Sequence, residues 1–199
     1  RNTTRCAPRP RRTTRTTKES SPNKLSIFIT AEPLILNQQS KYIVSSSRLG
    51  EFVRELRQAL RLGRRDCNIC FVDDRQIKRL NLLYLGKNRA TDVLSFPWMA
   101  QQRQLPQRPG SERARSRYTR RSANERAAWE FKNFLGDIVI SVDTAKRNAR
   151  QEGHSTLNEM RWLILHGVLH LLGYNHERDH GEMSRLEVAL RSRLGISGD

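Results

Sequence analysis

The stretch His166-Gly167-Val168-Leu169-His170, followed by Leu171-Leu172-Gly173-Tyr174-Asn175-His176, constrains this chain more than any other. Imidazoles four residues apart stand one above the other on a helix face, where both can reach the same ion. Gly173 then breaks the helix, so the chain can turn back and offer a third ring from a loop. The full pattern is HxxxHxxGxxH, which supplies three neutral nitrogen donors and leaves a fourth tetrahedral position for water. Structural zinc sites close that position with a fourth protein ligand, whereas catalytic ones keep it open. Zinc can lower the pKa of a bound water to about 7, which makes hydroxide available at neutral pH. The spacing predicts one Zn2+ on His166, His170 and His176, carried by a central helix and the loop after it. The bland alternative, three rings that merely pack or face solvent, fits poorly with three of five histidines falling in one such array.

Zinc proteases of the metzincin type share this spacing but place a Glu directly after the first His as general base. Gly167 occupies that position here, so a zinc peptidase would lack its proton shuttle. Of the remaining histidines, His154 and His180 read as capping or surface residues. His180 is close enough in sequence to support a ligand from behind.

Around the array the pattern is mixed. Residues 25–30 alternate as a strand. Residues 47–62 carry Leu49, Phe52, Val53, Leu56 and Leu60 at helical spacing, and Gly63 is the expected stop. Residues 67–72 form a short β-rich run, after which Asp74 is placed to cap a helix reaching Tyr84 with Ile77, Leu80 and Leu83 on one face. Residues 92–96 read as a strand stopped by Pro97, and 136–141 as a buried strand. Helices are expected at 143–151, ended by Gly153, and at 156–172, capped by Ser155 and stopped by Gly173. A last amphipathic helix at 179–194 would use Met183, Leu186, Val188, Leu190 and Leu194. No repeat is visible. Elements in this order predict an α+β fold, a small mixed β-sheet backed by helices.

At 199 residues there is room for one ordinary domain, here 25–195. Charge marks what is attached to it. The chain carries +17 overall; residues 1–24 hold eight bases against one acid, and residues 99–134 nine against three. The first is a basic arm that should not fold alone, the second an Arg-rich loop insertion. A surplus of this size favours polyanionic partners, and its concentration in arms suits RNA. The N-terminal segment is Arg-rich, hydroxyl-rich and almost acid-free, like an organellar transit sequence, so an organelle is expected ahead of a bacterial cytoplasm. No apolar run approaches the roughly 18 to 20 residues needed to cross a bilayer, so no integral membrane association is expected. Cys6, Cys67 and Cys70 are too few for a disulfide framework and point to a reducing compartment. Cys67 and Cys70 spell CxxC, but in a strand residues three apart face opposite ways.

With these residues in place, the sequence resembles the YbeY-type endoribonucleases, zinc-dependent rRNA maturation factors. The matching stretches are FVDDRQIKRLNLLYLGKNRATDVLSFPW at 71–98, LGDIVIS at 135–141, GHS at 153–155 and HGVLHLLGYNH at 166–176, with the helix containing His180, Met183 and Glu187. The resemblance implies an α+β fold, one zinc on the three histidines, and metal-assisted phosphodiester cleavage in ribosomal RNA processing. It also implies partners, namely ribosomal RNA and a preribosomal particle during small-subunit assembly. The family usually has an Arg after the Tyr of its YRGK-like stretch, and here Leu85 follows Tyr84. A leucine cannot hold a phosphate, so Lys87 and Arg89 become the candidate phosphate contacts. The alternative is a relative that binds the preribosome without cutting it.

Overall fold

The computed structural model describes residues 34–98, 132–176 and 179–196. The N-terminal arm, the strand expected at 25–30 and residues 99–131 of the insertion lie outside the described residues.

Four strands, β1 (Ile35–Asn37), β2 (Asp66–Val72), β3 (Val93–Pro97) and β4 (Phe134–Ser141), form one sheet in the order β1-β2-β4-β3. The first three neighbours run parallel, and β3 pairs antiparallel with β4 at the edge. This is the mixed sheet that the sequence predicts. Strand alternation sorts the core. Cys67, Ile69 and Phe71 of β2 and Ile138 and Ile140 of β4 face the larger cluster, with α1 (Ser46–Ala59), α3 (Val142–Glu152), α4 (Thr156–Leu171) and α5 (Glu182–Arg193). Val72, Val139 and Leu94 face the other way, against Ile77 of α2 (Asp74–Leu85). Cys67 is buried on the first face and Cys70 packs on the second, so they form no pair.

Several boundaries differ from the sequence reading, each for a local reason. β1 has no counterpart in that reading, because three residues are too few to show alternation and its pairing with β2 is long-range. α1 stops at Ala59, three residues early, since Leu62 leaves the helix to bury itself while Arg61 takes a left-handed φ of 51°. Asp73, not Asp74, caps α2: its carboxylate accepts the Gln76 N–H at 2.7 Å and the Gln76 side chain accepts the Asp73 N–H at 3.2 Å, a capping box. Leu83 is 73% exposed, so α2 buries Ile77 and Asn81 with Leu80 beside them. Pro97 is the last residue of β3 instead of its stop, which an edge strand tolerates. β4 begins at Phe134, inside the stretch assigned to the insertion. Asp179 sits ahead of α5, its carboxylate accepting the N–H groups of Gly181 and Met183 at 2.9 Å each, and Val188 points outward.

Released from capping, Asp74 ties two helices together. It accepts the Ser141 and Thr144 hydroxyls at 2.6 and 2.7 Å and pairs with Arg147 at 2.7 Å. The starts of α2 and α3 are thereby pinned side by side at the carboxyl ends of β2 and β4. The metal-ligand candidates lie at the opposite end of the sheet.

Candidate metal centre

α4 starts where Ser155 predicts, its hydroxyl accepting the Asn158 N–H at 3.1 Å. Leu163, Ile164, Leu165, Val168 and Leu169 are buried around it, leaving His166 and His170 half-buried on a shared face. Gly167 faces the sheet. A Cβ there would meet Ile138 Cγ2 at 2.8 Å and Cδ1 at 3.0 Å. Only a glycine lets the helix lie this close to β4, so the residue after the first ligand is fixed by packing and cannot carry a general base. Gly167→Ala should cost about 1–3 kcal/mol through overpacking, read from a urea midpoint. An unchanged midpoint would mean that Ile138 gives way.

The helix ends as a glycine stop should. Gly173 has φ 96°, and the Gly173 and Tyr174 N–H groups close on the carbonyls of His170 and Leu169 at 3.0 and 3.1 Å. This turn returns the chain, and His176 reaches the other two rings, with centroids 5.7 Å from His166 and 5.4 Å from His170. One nitrogen from each of His166, His170 and His176 lies within 4.8 Å of the others.

The hydrogen bonds behind the rings decide what this cluster can hold. His166 Nδ1 lies 3.2 Å from Glu187 Oε1, and His170 Nδ1 lies 3.0 Å from the Tyr174 carbonyl oxygen. A carboxylate and a carbonyl only accept, so each Nδ1 carries the proton. The two Nε2 atoms then face each other as bare lone pairs at 3.0 Å. That approach is repulsive unless a proton or a metal ion lies between the two nitrogens, and a metal ion would also take the nitrogen that His176 brings to the same point. Burial, helped by the neighbouring His166, lowers the His170 pKa and keeps its ring neutral and able to donate. A set of imidazoles with no thiolate suits zinc and the later first-row metals, so the residues present fit the ion that their spacing predicts.

Glu187 was not singled out for a role from sequence, although it shares the α5 face of the buried Met183 and Leu190. A carboxylate on a buried stripe is the signal that would have found it. The Trp162 indole N–H donates to the same Oε1 at 2.7 Å, and the Arg191 guanidinium lies 4.7 Å from the Trp162 ring centroid. Burial raises the Glu187 pKa, but the hydrogen bonds from His166 and Trp162 outweigh it and leave the net value lowered. The group is therefore an anion at neutral pH.

Other sequence candidates fall elsewhere. His180 is exposed and contributes its carbonyl to Arg185, so the support anticipated from it comes from Glu187 instead. His154 is no surface residue: its side chain is 8% exposed, with Nε2 3.2 Å from the fully buried Glu159 carboxylate. Lys87 and Arg89 are exposed on the loop after α2, where Asn81 holds the Arg89 carbonyl at 2.8 Å. Neither side chain is among the hydrogen-bond partners of the three rings described above. Leu85 is 57% exposed, next to Tyr84, whose ring packs edge-on against Phe96 at 4.9 Å.

Residues 34–195 match the family model described as endoribonuclease YbeY. Among proteins named endoribonuclease YbeY, the one from Nautilia profundicola is 40% identical over 132 residues, covering 66% of this chain and 74% of its own. That from Aquifex aeolicus is 34% identical over 163 residues, covering 80% and 91%. That from Moorella thermoacetica is 35% identical over 168 residues, covering 81% and 96%. A match that takes in all four strands, all five described helices and the three converging imidazoles leaves one conclusion: the chain belongs to the YbeY endoribonuclease family.

Proposed function

We propose that this protein is a zinc-dependent endoribonuclease that cleaves precursor ribosomal RNA during small-subunit assembly, in a mitochondrial or other organellar matrix. The observation that carries the reading is the convergence of one ring nitrogen from each of His166, His170 and His176 within 4.8 Å, with the Nε2 atoms of the first two 3.0 Å apart. A bound zinc would supply a water of lowered pKa and Lewis acidity toward a phosphodiester oxygen. The chain's own part is to hold the His166 and His170 rings in the donating tautomer through Glu187 and the Tyr174 carbonyl, to bring His176 in beside them, and to attract the polyanion with its +17 charge. Lys87 and Arg89 are the proposed phosphate contacts of the loop after α2. Ribosomal RNA and a preribosomal particle as partners rest on the family resemblance, and the organellar location on the composition of residues 1–24. No helix among the described residues is long and apolar enough to cross a membrane.

A second reading, a preribosome-binding factor that does not cut, is favoured by Leu85, an apolar side chain where the resemblance expects a cation. Single-turnover incubation with precursor rRNA, first with zinc and then with a chelator, separates the two. The first reading expects cleavage that disappears on chelation and returns with zinc. Tight binding without metal-dependent cleavage leaves the second.

A further inference from the structure

The metal centre uses only part of the sheet end on which it sits. α4 runs antiparallel to β4, since its Gly167 lies on Ile138 and its Leu171 on Gly136. α1 leads from β1 back to the start of β2 on the same face, and its Phe52 ring lies 5.8 Å from the Arg161 guanidinium of α4. The carboxyl ends of both helices therefore arrive at the amino ends of β2 and β4, where Asp66 pairs with Phe134. One helix brings the imidazoles there. The other brings the turn Arg61-Leu62-Gly63-Arg64-Arg65.

This turn is built and not merely exposed. Leu62 is 5% exposed and anchors it in the core. The Arg61 N–H reaches the Gln58 carbonyl at 3.1 Å, Leu62 reaches Arg57 at 3.0 Å, and Arg65 reaches Leu62 at 3.1 Å. The Arg57 guanidinium braces the Gly63 carbonyl at 3.2 Å. Arg61 adopts a left-handed backbone, uncommon for a residue other than glycine. The acid that follows, Asp66, is committed to the Cys67 N–H at 2.8 Å and lies 3.9 Å from Arg57. Arg61 and Arg64 are exposed, and neither has an ion-pair partner among the described residues. Exposed guanidinium groups carried three residues apart on a braced turn raise the local positive potential, and their planar forks match phosphate oxygens in pairs.

We propose that the Arg61–Arg65 turn binds the phosphate backbone of single-stranded RNA, and so guides the strand to the metal centre from the β1–β2 side. The proposal deepens the RNA reading above and rests on it. It gives this end of the domain a contact of its own, separate from the arms at 1–24 and 99–134.

The test is the salt dependence of binding by the full-length chain, using a labelled single-stranded RNA of mixed sequence. His170→Ala is kept as the background so that the RNA stays intact. Each phosphate contact on a single strand contributes about 0.7 to the slope of log Kd against log salt. Arg61→Ala with Arg64→Ala should therefore lower the slope by about 1.4 and weaken binding roughly tenfold at moderate salt. Arg61→Lys with Arg64→Lys should retain most of the slope. The control pair, Arg48→Ala with Arg75→Ala, removes the same charge from the opposite end of the sheet and should change the slope much less. An unchanged slope in the first pair, an equal fall in both pairs, or no RNA binding by the parent chain overturns the proposal. Cleavage by the chain with His170 intact is scored separately. A slope that falls as expected without any cleavage leaves the turn's role standing and removes the nuclease reading.

Discussion

His170→Ala is expected to abolish stoichiometric metal binding and, with it, RNA cleavage, while the chain stays folded. His170 supplies one of the three converging nitrogens, and its ring is half-buried at the end of α4, so alanine removes a donor without emptying the core. Loss of a direct ligand should exceed the 10–100-fold cost typical of losing a ligand's outer partner, so metal affinity should fall by at least about 100-fold. Metal content by mass spectrometry, with circular dichroism to verify the fold, checks the first half; single-turnover cleavage checks the second. The pH dependence has a defined sign. Burial lowers the pKa of His170 in the folded chain, so the unfolded chain binds more protons once pH falls below the ordinary histidine value. Without metal, the stability held by the neutral ring is present above that value and is lost as pH falls through the window beneath it. Full metal occupancy in His170→Ala would mean that the three rings are not the site.

The second large effect concerns Glu187, a positioning residue that acts through His166. Glu187→Ala removes the acceptor that holds the proton on Nδ1, freeing the ring to rotate or to protonate the wrong nitrogen. Metal affinity should drop by about 10–100-fold. Glu187→Gln keeps an acceptor oxygen for the Trp162 indole and for Nδ1 but loses the charge, so it should recover part of the affinity. Competition with a chromogenic chelator reads both, and the absorption spectrum of the cobalt-substituted protein reports the ligand geometry independently of turnover. A purely structural role would lower the melting temperature of both variants while leaving the affinity of the folded fraction intact.

What could be read from the sequence follows the range over which each signal acts. The helix around His166 and His170, its Ser155 cap and its Gly173 stop are encoded within a few residues, and the structure has them as expected. The core positions of α1 are legible for the same reason. Capping was harder: Asp73 and Asp74 are equally able caps on paper, and only the distant hydroxyls of Ser141 and Thr144, with Arg147, claim Asp74 for another task. β1 depends on β2 for its existence, and three residues hold too little pattern to announce it. Glu187 illustrates the same limit at the site. HxxxHxxGxxH is a local statement about three rings, whereas the partner of the first ring comes from a helix 21 residues further on.

The junction of β3 and β4 has a consequence for how this enzyme family can vary. The antiparallel ladder runs out to Pro97 opposite Gly136, and the rings of Trp98 and Phe134 meet edge-on at 5.8 Å, so the two strands are fastened before the intervening stretch begins. A fastened stem isolates the catalytic layer from whatever is strung across it. Because closing a loop costs only about 0.6 kcal/mol more for each doubling of its length, evolution can lengthen or recharge that stretch without shifting a single imidazole.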